Sequence, residues 1–415
     1  MLERYLQQRG LTRQSLTVQI ATVAGLLPED MLFACGSVVE GLGNEHSDLD
    51  LFLITACQDV PCTSPGAVTL RVGKSLIDIR VVVPDECEAL LRRFEKWARE
   101  AHHPRSALQF DEDERKFLHR LKTGVALWGA GPLQTLQDRI GPRDLARHKL
   151  ERARYLTNTI QIDLAGLRDA RDWVSMPFAA QTLLDHAADA LLAAHGRASP
   201  NAKWRVRMLG QLPLDWEMVW PAPRTGMSAA DLYCLLHRAP PGAEPQDILD
   251  HTQRTLAFAR RVLPWSEWRL SGHEPEVPGP LPMQGSVRTP QQPLPPLDLD
   301  VCLQFRDGCF QLNRLQPGSP VLRLTPAFHM RLAQQAGVTL NGGATEGPNM
   351  DEDVEELRSF IRAHALELPA LIDEHLLRQL IGSEEDHHGR TDRDPGIPGR
   401  RPENPGLRRT GVDAD

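Results

Sequence analysis

Two aspartates, Asp48 and Asp50, interrupt an otherwise apolar run in the segment MLFACGSVVEGLGNEHSDLDLFLI, residues 31–54. The pattern around them is that of a strand, and strand residues i and i+2 point to the same face. The two carboxylates are therefore predicted to project side by side, while Leu49 and Leu51 face a core. Carboxylates held that close repel each other unless a cation lies between them, and hard oxygen ligands suit Mg²⁺. The spacing predicts a magnesium site that shares its ion with substrate phosphates.

A third carboxylate, Asp78, lies in the middle of the apolar run SLIDIRVVV. If this run pairs with the strand that carries Asp48 and Asp50, the three carboxylates converge. Such a set can hold two metal ions for an in-line displacement at phosphorus. The alternative is that Asp78 faces solvent from a half-buried strand, where Arg80 on the same face could pair with it. The corresponding alternative for Asp48 and Asp50 is that they lie at a strand end in solvent. The apolar residues that flank them on both sides argue against it.

A Gly-Ser pair precedes the aspartates, separated from them by ten residues. Gly36 falls between a predicted strand, MLFAC, and a predicted short helix that begins with SVVEGL. Glycine permits a tight turn there and a close approach of the backbone. The first N–H groups of the helix and the Ser37 hydroxyl are then available to an anionic phosphate, a use compatible with Ser37 as a plain N-cap. The turn Asn44–Ser47 returns the chain to the aspartates, and Ser47 is a further candidate for nucleotide contact.

The elements that must position these residues are predicted by periodicity. Residues 1–100 begin with two helices and continue with the strand-like runs MLFAC, DLDLFLI, AVTLRV and SLIDIRVVV, followed by the amphipathic helix CEALLRRFEKWAREA. Gly73-Lys74 separates the last two strand-like runs, which is typical of a tight hairpin. Residues 101–270 carry apolar residues at three- and four-residue steps, which predicts an almost entirely helical bundle.

The C-terminal third differs from the rest of the chain in composition and periodicity. Residues 271–297 are proline-rich and are predicted to be a linker. Residues 298–382 contain two strand-like pieces, VCLQFRDG and CFQLNRL, and then helical patterns, while residues 383–415 are polar, rich in Pro and Gly, and predicted to be disordered. The expected class is α+β: strands and helices in an N-terminal catalytic domain, then a helical bundle, then a small C-terminal α+β domain.

Composition limits the partners. The 415 residues suffice for two or three domains, and 41% hydrophobic and 25% charged residues are ordinary for a soluble protein. The seven scattered cysteines form no CxxC pair, there is no signal-peptide pattern, and no apolar stretch is long enough for a bilayer, so a cytoplasmic location without a membrane partner is expected. The net charge of −8 argues against a long nucleic acid, which relies on many Lys and Arg contacts to phosphate, but it leaves room for a nucleotide.

In order and spacing, the Gly-Ser pair, the Asp-Leu-Asp and the later Asp between hydrophobics resemble the DNA polymerase β-type nucleotidyltransferase superfamily. The segment GSVVEGLGNEHSDLDLFLI is most similar to the small-substrate bacterial branch, which includes aminoglycoside (kanamycin-type) and minimal nucleotidyltransferases. The resemblance covers about residues 28–84 at the level of motifs and extends only in outline to the helical region. It does not reach residues 271–415. It implies a polymerase β-like mixed sheet, two Mg²⁺ ions and ATP as the nucleotide donor.

The resemblance also implies roles for individual residues. Gly36 and Ser37 would hold the nucleotide phosphates, Asp48 and Asp50 would bind Mg²⁺, and Asp78 would be the third metal ligand or the base that deprotonates the acceptor. The expected reaction transfers a nucleoside monophosphate, AMP from ATP, to a hydroxyl of a small-molecule acceptor with release of pyrophosphate. Two alternatives are AMP transfer to a protein or peptide side chain and a non-catalytic nucleotide-sensing module that kept the fold.

The helical region holds further candidates. The segment GPRDLARHKLERARYL concentrates cations, and Lys149 is the one predicted to reach the triphosphate across a cleft; a solvated helix face is the ordinary alternative. In FAAQTLLDHAADALLAAH, Asp185 and Asp189 stand one helical turn apart beside His186. One of these carboxylates could be the base for the acceptor, and a plain polar helix face is the alternative.

Overall fold

The computed structural model describes residues 1–57, 67–72, 75–100, 108–197, 201–213, 228–272, 298–306, 308–315 and 321–324. Several features predicted from the sequence lie outside these residues. They are the turn at Gly73-Lys74, nearly all of the linker at 271–297, the helices expected after residue 324 and the tail at 383–415.

The N-terminal part contains a five-stranded mixed sheet with the strand order β3-β4-β2-β1-β5. Its strands are β1 (Met31–Cys35), β2 (Leu49–Ile54), β3 (Ala67–Val72), β4 (Ser75–Val82) and β5 (Val125–Trp128). β1 is antiparallel to both β2 and β5, and β3 is antiparallel to β4, whereas β2 and β4 run parallel. The predicted mixed sheet is confirmed, and the strand that carries Asp50 is paired directly with the strand that carries Asp78.

Six helices surround this sheet. They are α1 (Leu2–Gln7), α2 (Arg13–Ala24), α3 (Gly36–Val39), α4 (Pro84–Arg99), α5 (Glu112–Thr123) and α6 (Ala130–Asp138). One face of the sheet, which includes Leu49 and Leu51, packs on α1 and α2. The opposite face, which includes Phe33 and Phe52, packs on α4, α5 and α6. Each strand thus divides its side chains between two cores, as alternation requires.

The sequence does not predict β5, because residues 101–270 are expected to be almost entirely helical. The strand has only four residues, VALW, and lies between α5 and α6. A run this short cannot show the alternation from which strands are recognised. It forms the sheet edge beside β1, and the Trp128 indole N–H donates to the Leu27 carbonyl at 3.0 Å.

The region after the sheet is a bundle, as predicted. Its helices are α7 (Pro142–Asp169), α8 (Met176–Ala194), α9 (Arg205–Leu209), α10 (Ala229–Leu236) and α11 (Pro245–Ser271). α8 lies at the centre of the bundle core, where Leu183, Leu184 and Leu191 are fully buried. Proline stands in the first turn of each long helix, where its missing N–H costs nothing. No helix within the described ranges is long and apolar enough to cross a membrane.

A small antiparallel sheet follows, in the order β6-β7-β8. Its strands are β6 (Val301–Arg306), β7 (Cys309–Arg314) and β8 (Val321–Leu324). The sequence predicts the first two strands and misses the third. β6 and β7 pair from Val301 opposite Arg314 to Arg306 opposite Cys309.

This sheet is bound to the bundle by buried polar contacts. The side-chain amide of Gln161 on α7 donates to the carbonyls of Leu299 and Val301 at 3.1 and 3.2 Å. The Arg260 guanidinium on α11 donates to the Val301 carbonyl at 2.9 Å. The Glu267 carboxylate, also on α11, accepts from the Phe305 N–H at 2.6 Å. Leu299 itself is part of the bundle core, so residues 298–306 complete the interior of the bundle.

Candidate active site

Asp50 and Asp78 lie opposite each other on neighbouring parallel strands. The register of β2 and β4 pairs Asp50 with Asp78, on the face opposite to the one that buries Leu49 and Leu51. Asp48 is the residue before β2, two positions from Asp50, and its charge acts on Asp50. All three side chains are half-buried. The structure therefore brings the three predicted carboxylates to one region of the sheet.

The electrostatics of Asp50 reflect this crowding. Its pKa is raised above the ordinary value of 3.8, first because burial removes the carboxylate from water and then because Asp48 and Asp78 are negatively charged neighbours, while Arg120 and Arg80 oppose the shift. Arg120, on α5, places its guanidinium 3.7 Å from Asp50 Oδ1. Two cations of the protein, Arg120 and Arg80, thus partly offset the charge of the three carboxylates, and a bound metal ion would offset more of it.

Asp78 has a different partner from the one that the sequence suggests. The Thr69 hydroxyl, from the position on β3 opposite Asp78, donates to Asp78 Oδ1 at 3.0 Å. Arg80, the predicted alternative partner on the same face, lies 3.7 Å from Asp113 at the start of α5. The hydroxyl holds one oxygen of the Asp78 carboxylate in place on the half-buried face of β4.

Gly36 brings the backbone into contact with the Asp50 carboxylate. Its φ of +73° lies in the left-handed region, and a Cβ built on it would lie 2.3 Å from Asp50 Oδ2. Any residue other than glycine would be strained there and would displace the carboxylate. The close approach predicted for this glycine is therefore an approach to a candidate metal ligand.

The two serines differ in how their hydroxyls are used. Ser37 is half-buried, and its hydroxyl makes no hydrogen bond to any residue that the structure describes. The Ser37 carbonyl accepts from Leu42 N and Gly43 N at 2.8 and 2.7 Å, which closes the loop after α3. The Ser47 hydroxyl instead accepts from the Asn44 N–H at 2.9 Å within the turn. Ser37 fits a phosphate contact, whereas Ser47 maintains the turn.

Two consecutive residues of α5, His119 and Arg120, contact the residue after α3 and the Asp50 carboxylate. The His119 imidazole lies 3.0 Å from the carboxylate of Glu40, the residue that follows α3, and both side chains are largely buried. Arg120 is the cation beside Asp50. Nothing in the sequence marks these residues, because α5 belongs to a region read only as bundle. The sequence contains a signal for Thr69, since the two-residue turn predicted at Gly73-Lys74 would place Thr69 opposite Asp78.

Lys149 lies on α7, with its ammonium 3.9 Å from Asp189 Oδ1 on α8. Burial is the largest effect on its pKa and lowers it; Asp189 and Glu40 act in the opposite direction, and Arg205 adds to the lowering. The influence of Glu40 puts this lysine between the end of α3 and the bundle. Its predicted contact with a triphosphate stays a prediction.

Asp185 and Asp189 belong to an ion-pair network inside the bundle. The Arg205 guanidinium on α9 lies 3.0 Å from Asp185 Oδ2 and donates to Asp189 Oδ1 at 3.1 Å. Asp185 also accepts from the Tyr233 phenol on α10. The pKa of the neighbouring His186 is lowered, chiefly by burial. These partners give both carboxylates a structural role and make either one a poor candidate for the base.

The donor chemistry of Asp48, Asp50 and Asp78 fits Mg²⁺. All three offer hard oxygen ligands, and the pKa of Asp50 is raised first by burial and then by the negative charges of Asp48 and Asp78, whose repulsion a cation relieves. In the part of the chain that the structure describes, no group of three or more His, Cys, Asp or Glu side chains is arranged to hold a metal ion. A Mg²⁺ ion bound by these carboxylates would complete its shell with water and substrate oxygens, as Mg²⁺ commonly does.

Neither the known protein-family models nor the curated proteins include a match to this chain. The functional argument consequently depends on the residues and their geometry.

Proposed function

We propose that the chain is a Mg²⁺-dependent nucleotidyltransferase that transfers AMP from ATP to a hydroxyl of a small-molecule acceptor and releases pyrophosphate. The observation that carries the proposal is the pairing of Asp50 with Asp78 on parallel strands, with the Gly36 backbone against Asp50. The order of the turn and the carboxylates along the chain supports the same class, as does the resemblance of the motif.

In this proposal Gly36 and Ser37 receive the phosphates, and Asp48, Asp50 and Asp78 hold the metal. When bound, Mg²⁺ would neutralise charge on the triphosphate and act as a Lewis acid. Arg120 and Gly36 fix the position of the Asp50 carboxylate.

In this proposal Asp78 is the base that takes the proton of the acceptor hydroxyl. The acceptor oxygen forms a bond to the α-phosphorus, the bond from that phosphorus to the bridging oxygen breaks, and pyrophosphate leaves with the electron pair. The acceptor proton passes to the Asp78 carboxylate, whose orientation the Thr69 hydroxyl fixes.

Pyrophosphate release by the full chain tests the proposal. The four nucleoside triphosphates are incubated with Mg²⁺ and a panel of hydroxylated small molecules, and parallel samples contain EDTA. We expect release that requires Mg²⁺ and falls by about 100-fold or more in Asp50→Asn and Asp78→Asn, since small misplacements at such sites are costly. Asp85→Asn, at an exposed position of α4, is the matched control.

Three outcomes contradict the proposal. Tight ATP binding without pyrophosphate release across the whole panel favours the nucleotide-sensing module. Absence of nucleotide binding excludes the class altogether. Release only with a protein acceptor would move the proposal to AMP transfer onto a side chain.

A further inference from the structure

An open cleft of about 630 Å³ lies on the same side of the sheet as the carboxylates. Its sheet wall is formed by Phe52 and Arg80, a cross-strand pair one same-face position beyond Asp50 and Asp78. The helices α4 and α5 close the other sides, with Ala89, Leu90, Arg93, Asp113, Glu114 and Phe117. A volume of this size is typical of sites for small molecules, about 300–1,000 Å³.

The floor of the cleft is apolar and partly aromatic. Phe52, Leu90 and Phe117 are 4%, 7% and 7% exposed. The rings of Phe52 and Phe117 meet edge to face, with centroids 5.1 Å apart. Such a floor favours a flat apolar group, because aromatic surfaces gain both from burial and from ring contacts.

The rim of the cleft carries two arginines, Arg80 and Arg93, and three carboxylates, Glu86, Asp113 and Glu114. Arg80 lies 3.7 Å from Asp113, and the two side chains are 50% and 77% exposed. Arg93 is paired with Glu114. An exposed ion pair as long as that of Arg80 contributes little, so an incoming anionic group can replace Asp113 and use the guanidinium fork.

The position of the cleft follows from the register of the sheet. Cys35, directly before Gly36, pairs with Asp50 at the start of β2, while Phe52 lies further along the same strand. The carboxylates therefore lie between the Gly36 turn and the cleft. An in-line displacement requires the attacking and leaving oxygens on opposite sides of the phosphorus. If the leaving pyrophosphate is held at Gly36, the attacking hydroxyl enters from the side of the cleft.

We propose that this cleft is the acceptor site and that its ligand is a small molecule with a flat apolar body, an anionic group for the rim arginines and a hydroxyl directed to Asp78. The inference rests on the proposed nucleotidyl transfer. The bonds are those of that reaction: the acceptor oxygen joins the α-phosphorus, pyrophosphate leaves, and the acceptor proton passes to Asp78.

The probe for the test is 6-hydroxy-2-naphthoate, which has the flat body, the hydroxyl and the carboxylate. The matched probe 2-naphthol lacks only the carboxylate. Both are titrated into the full chain with Mg²⁺ and a non-hydrolysable ATP analogue. We expect one naphthoate per chain, bound about tenfold more tightly than 2-naphthol because of the charged hydrogen bonds to arginine. Equal affinity of the two probes would overturn the anionic assignment, and no binding of either would overturn the ligand class.

Ala89→Trp fills the cleft from an exposed position of α4, and Lys96→Trp adds the same side chain at an exposed position of α4 that does not line the cleft. We expect the first variant to lose naphthoate binding and naphthoate-dependent pyrophosphate release by about tenfold or more, because the indole occupies the ligand volume. Affinity for the ATP analogue should change less than about twofold in both variants, since the nucleotide site lies at the Gly36 turn.

The outcomes separate this inference from the proposed function. If the wild-type chain releases pyrophosphate and Ala89→Trp keeps the naphthoate-dependent rate, the acceptor lies elsewhere and only the inference fails. If the wild-type chain neither binds nor turns over nucleotide, the proposed function fails, and the acceptor assignment fails with it whatever the naphthoate does.

Discussion

Asp50 is the residue on which the largest number of site contacts converge. It faces Asp78, touches the Gly36 backbone and lies beside the Arg120 guanidinium. Its raised pKa means that the ionised form is less favourable in the folded chain than in the unfolded chain. Without a metal ion, the folded protein therefore carries an electrostatic cost at this carboxylate, and that cost can be measured.

Asp50→Asn should melt at a temperature equal to or a few degrees above that of the wild-type chain at pH 7 in EDTA. The wild-type chain loses stability as the pH rises from the ordinary value of 3.8 through the raised pKa of Asp50, and the uncharged variant does not. The difference should shrink as the pH falls below 3.8, where wild-type Asp50 becomes protonated in both the folded and the unfolded state. Added Mg²⁺ should raise the melting temperature of the wild-type chain alone, because binding to the folded state stabilises it. An equal Mg²⁺ effect on both proteins would place the metal elsewhere.

Gly36→Ala should lower the rate of pyrophosphate release much more than it lowers the stability of the folded chain. The left-handed φ costs about 1–2 kcal/mol for alanine, and the new Cβ would displace the Asp50 carboxylate, for which we expect an activity loss of about 100-fold. Gly10→Ala is the matched control, since Gly10 has a φ of +69° and no atom within 4 Å of the added Cβ. Melting curves should shift similarly in both variants, and pyrophosphate release should fall only in the first. Equal activity would show that the carboxylate position is not critical.

At the scale of elements, α5 links the turn at Gly36 and Ser37 to the carboxylates. It begins at a capping box between Asp111 and Glu114, which fixes its first turn. Its residues His119 and Arg120 then reach Glu40 after α3 and Asp50 on β2. A shift of this one helix would move both halves of the site together.

Arg120→Gln should make the metal-free protein less stable and its Mg²⁺ affinity higher. The variant loses the guanidinium that offsets Asp50, at a cost of about 1 kcal/mol, and also loses a cation that opposes metal binding. Lys116→Gln, which removes a charge from α5 at its pair with Glu112, is the control. Melting in EDTA and a Mg²⁺ titration check both directions. A drop in Mg²⁺ affinity in the Arg120 variant would mean that Arg120 assists the metal.

The elements of the sheet could be predicted to different degrees, for physical reasons. β2 and β4 are apolar runs interrupted by single carboxylates, and that contrast is local in sequence. The contacts of Arg120 and Glu40 are not local in sequence, because they depend on how α5 packs across the sheet. β5 and β8 have four residues each, too few for a periodic pattern. Asp48 was expected within the strand and lies one residue before it, a shift within the ordinary uncertainty of element ends.

At the scale of the whole molecule, the polar interior of the bundle is completed by residues that follow the bundle in the chain. Gln161 and Arg260 are buried, the Glu267 side chain is 8% exposed, and each bonds backbone groups of residues 298–305. Arg154 is also paired with Glu267 at 2.8 Å, so α7, α11 and β6 share one polar centre. The sequence suggests separate regions here, and it cannot reveal that their interiors are shared.

A chain that ends at Gly272 should be markedly less stable than one that ends at Leu324. Each buried group left without its partner costs about 1–3 kcal/mol, so the loss of several should lower the melting temperature by about 10 °C or more. The chain ending at Leu324 keeps all the partners named above and is the matched comparison. Thermal unfolding followed by circular dichroism decides between them. Equal melting temperatures would mean that the hairpin contacts contribute little.

The same contacts also have a consequence for the order in which the protein can fold during translation. Arg260 finds its acceptors 38 and 41 residues later in the chain, at the carbonyls of Asp298 and Val301. At about 5–20 residues per second, the ribosome needs about 2–8 s to supply them. During that interval the nascent α11 presents an arginine and a glutamate that the finished protein buries. We therefore expect the incomplete bundle to be exposed to chaperones during this interval, and slower translation of residues 272–298 to prolong that exposure.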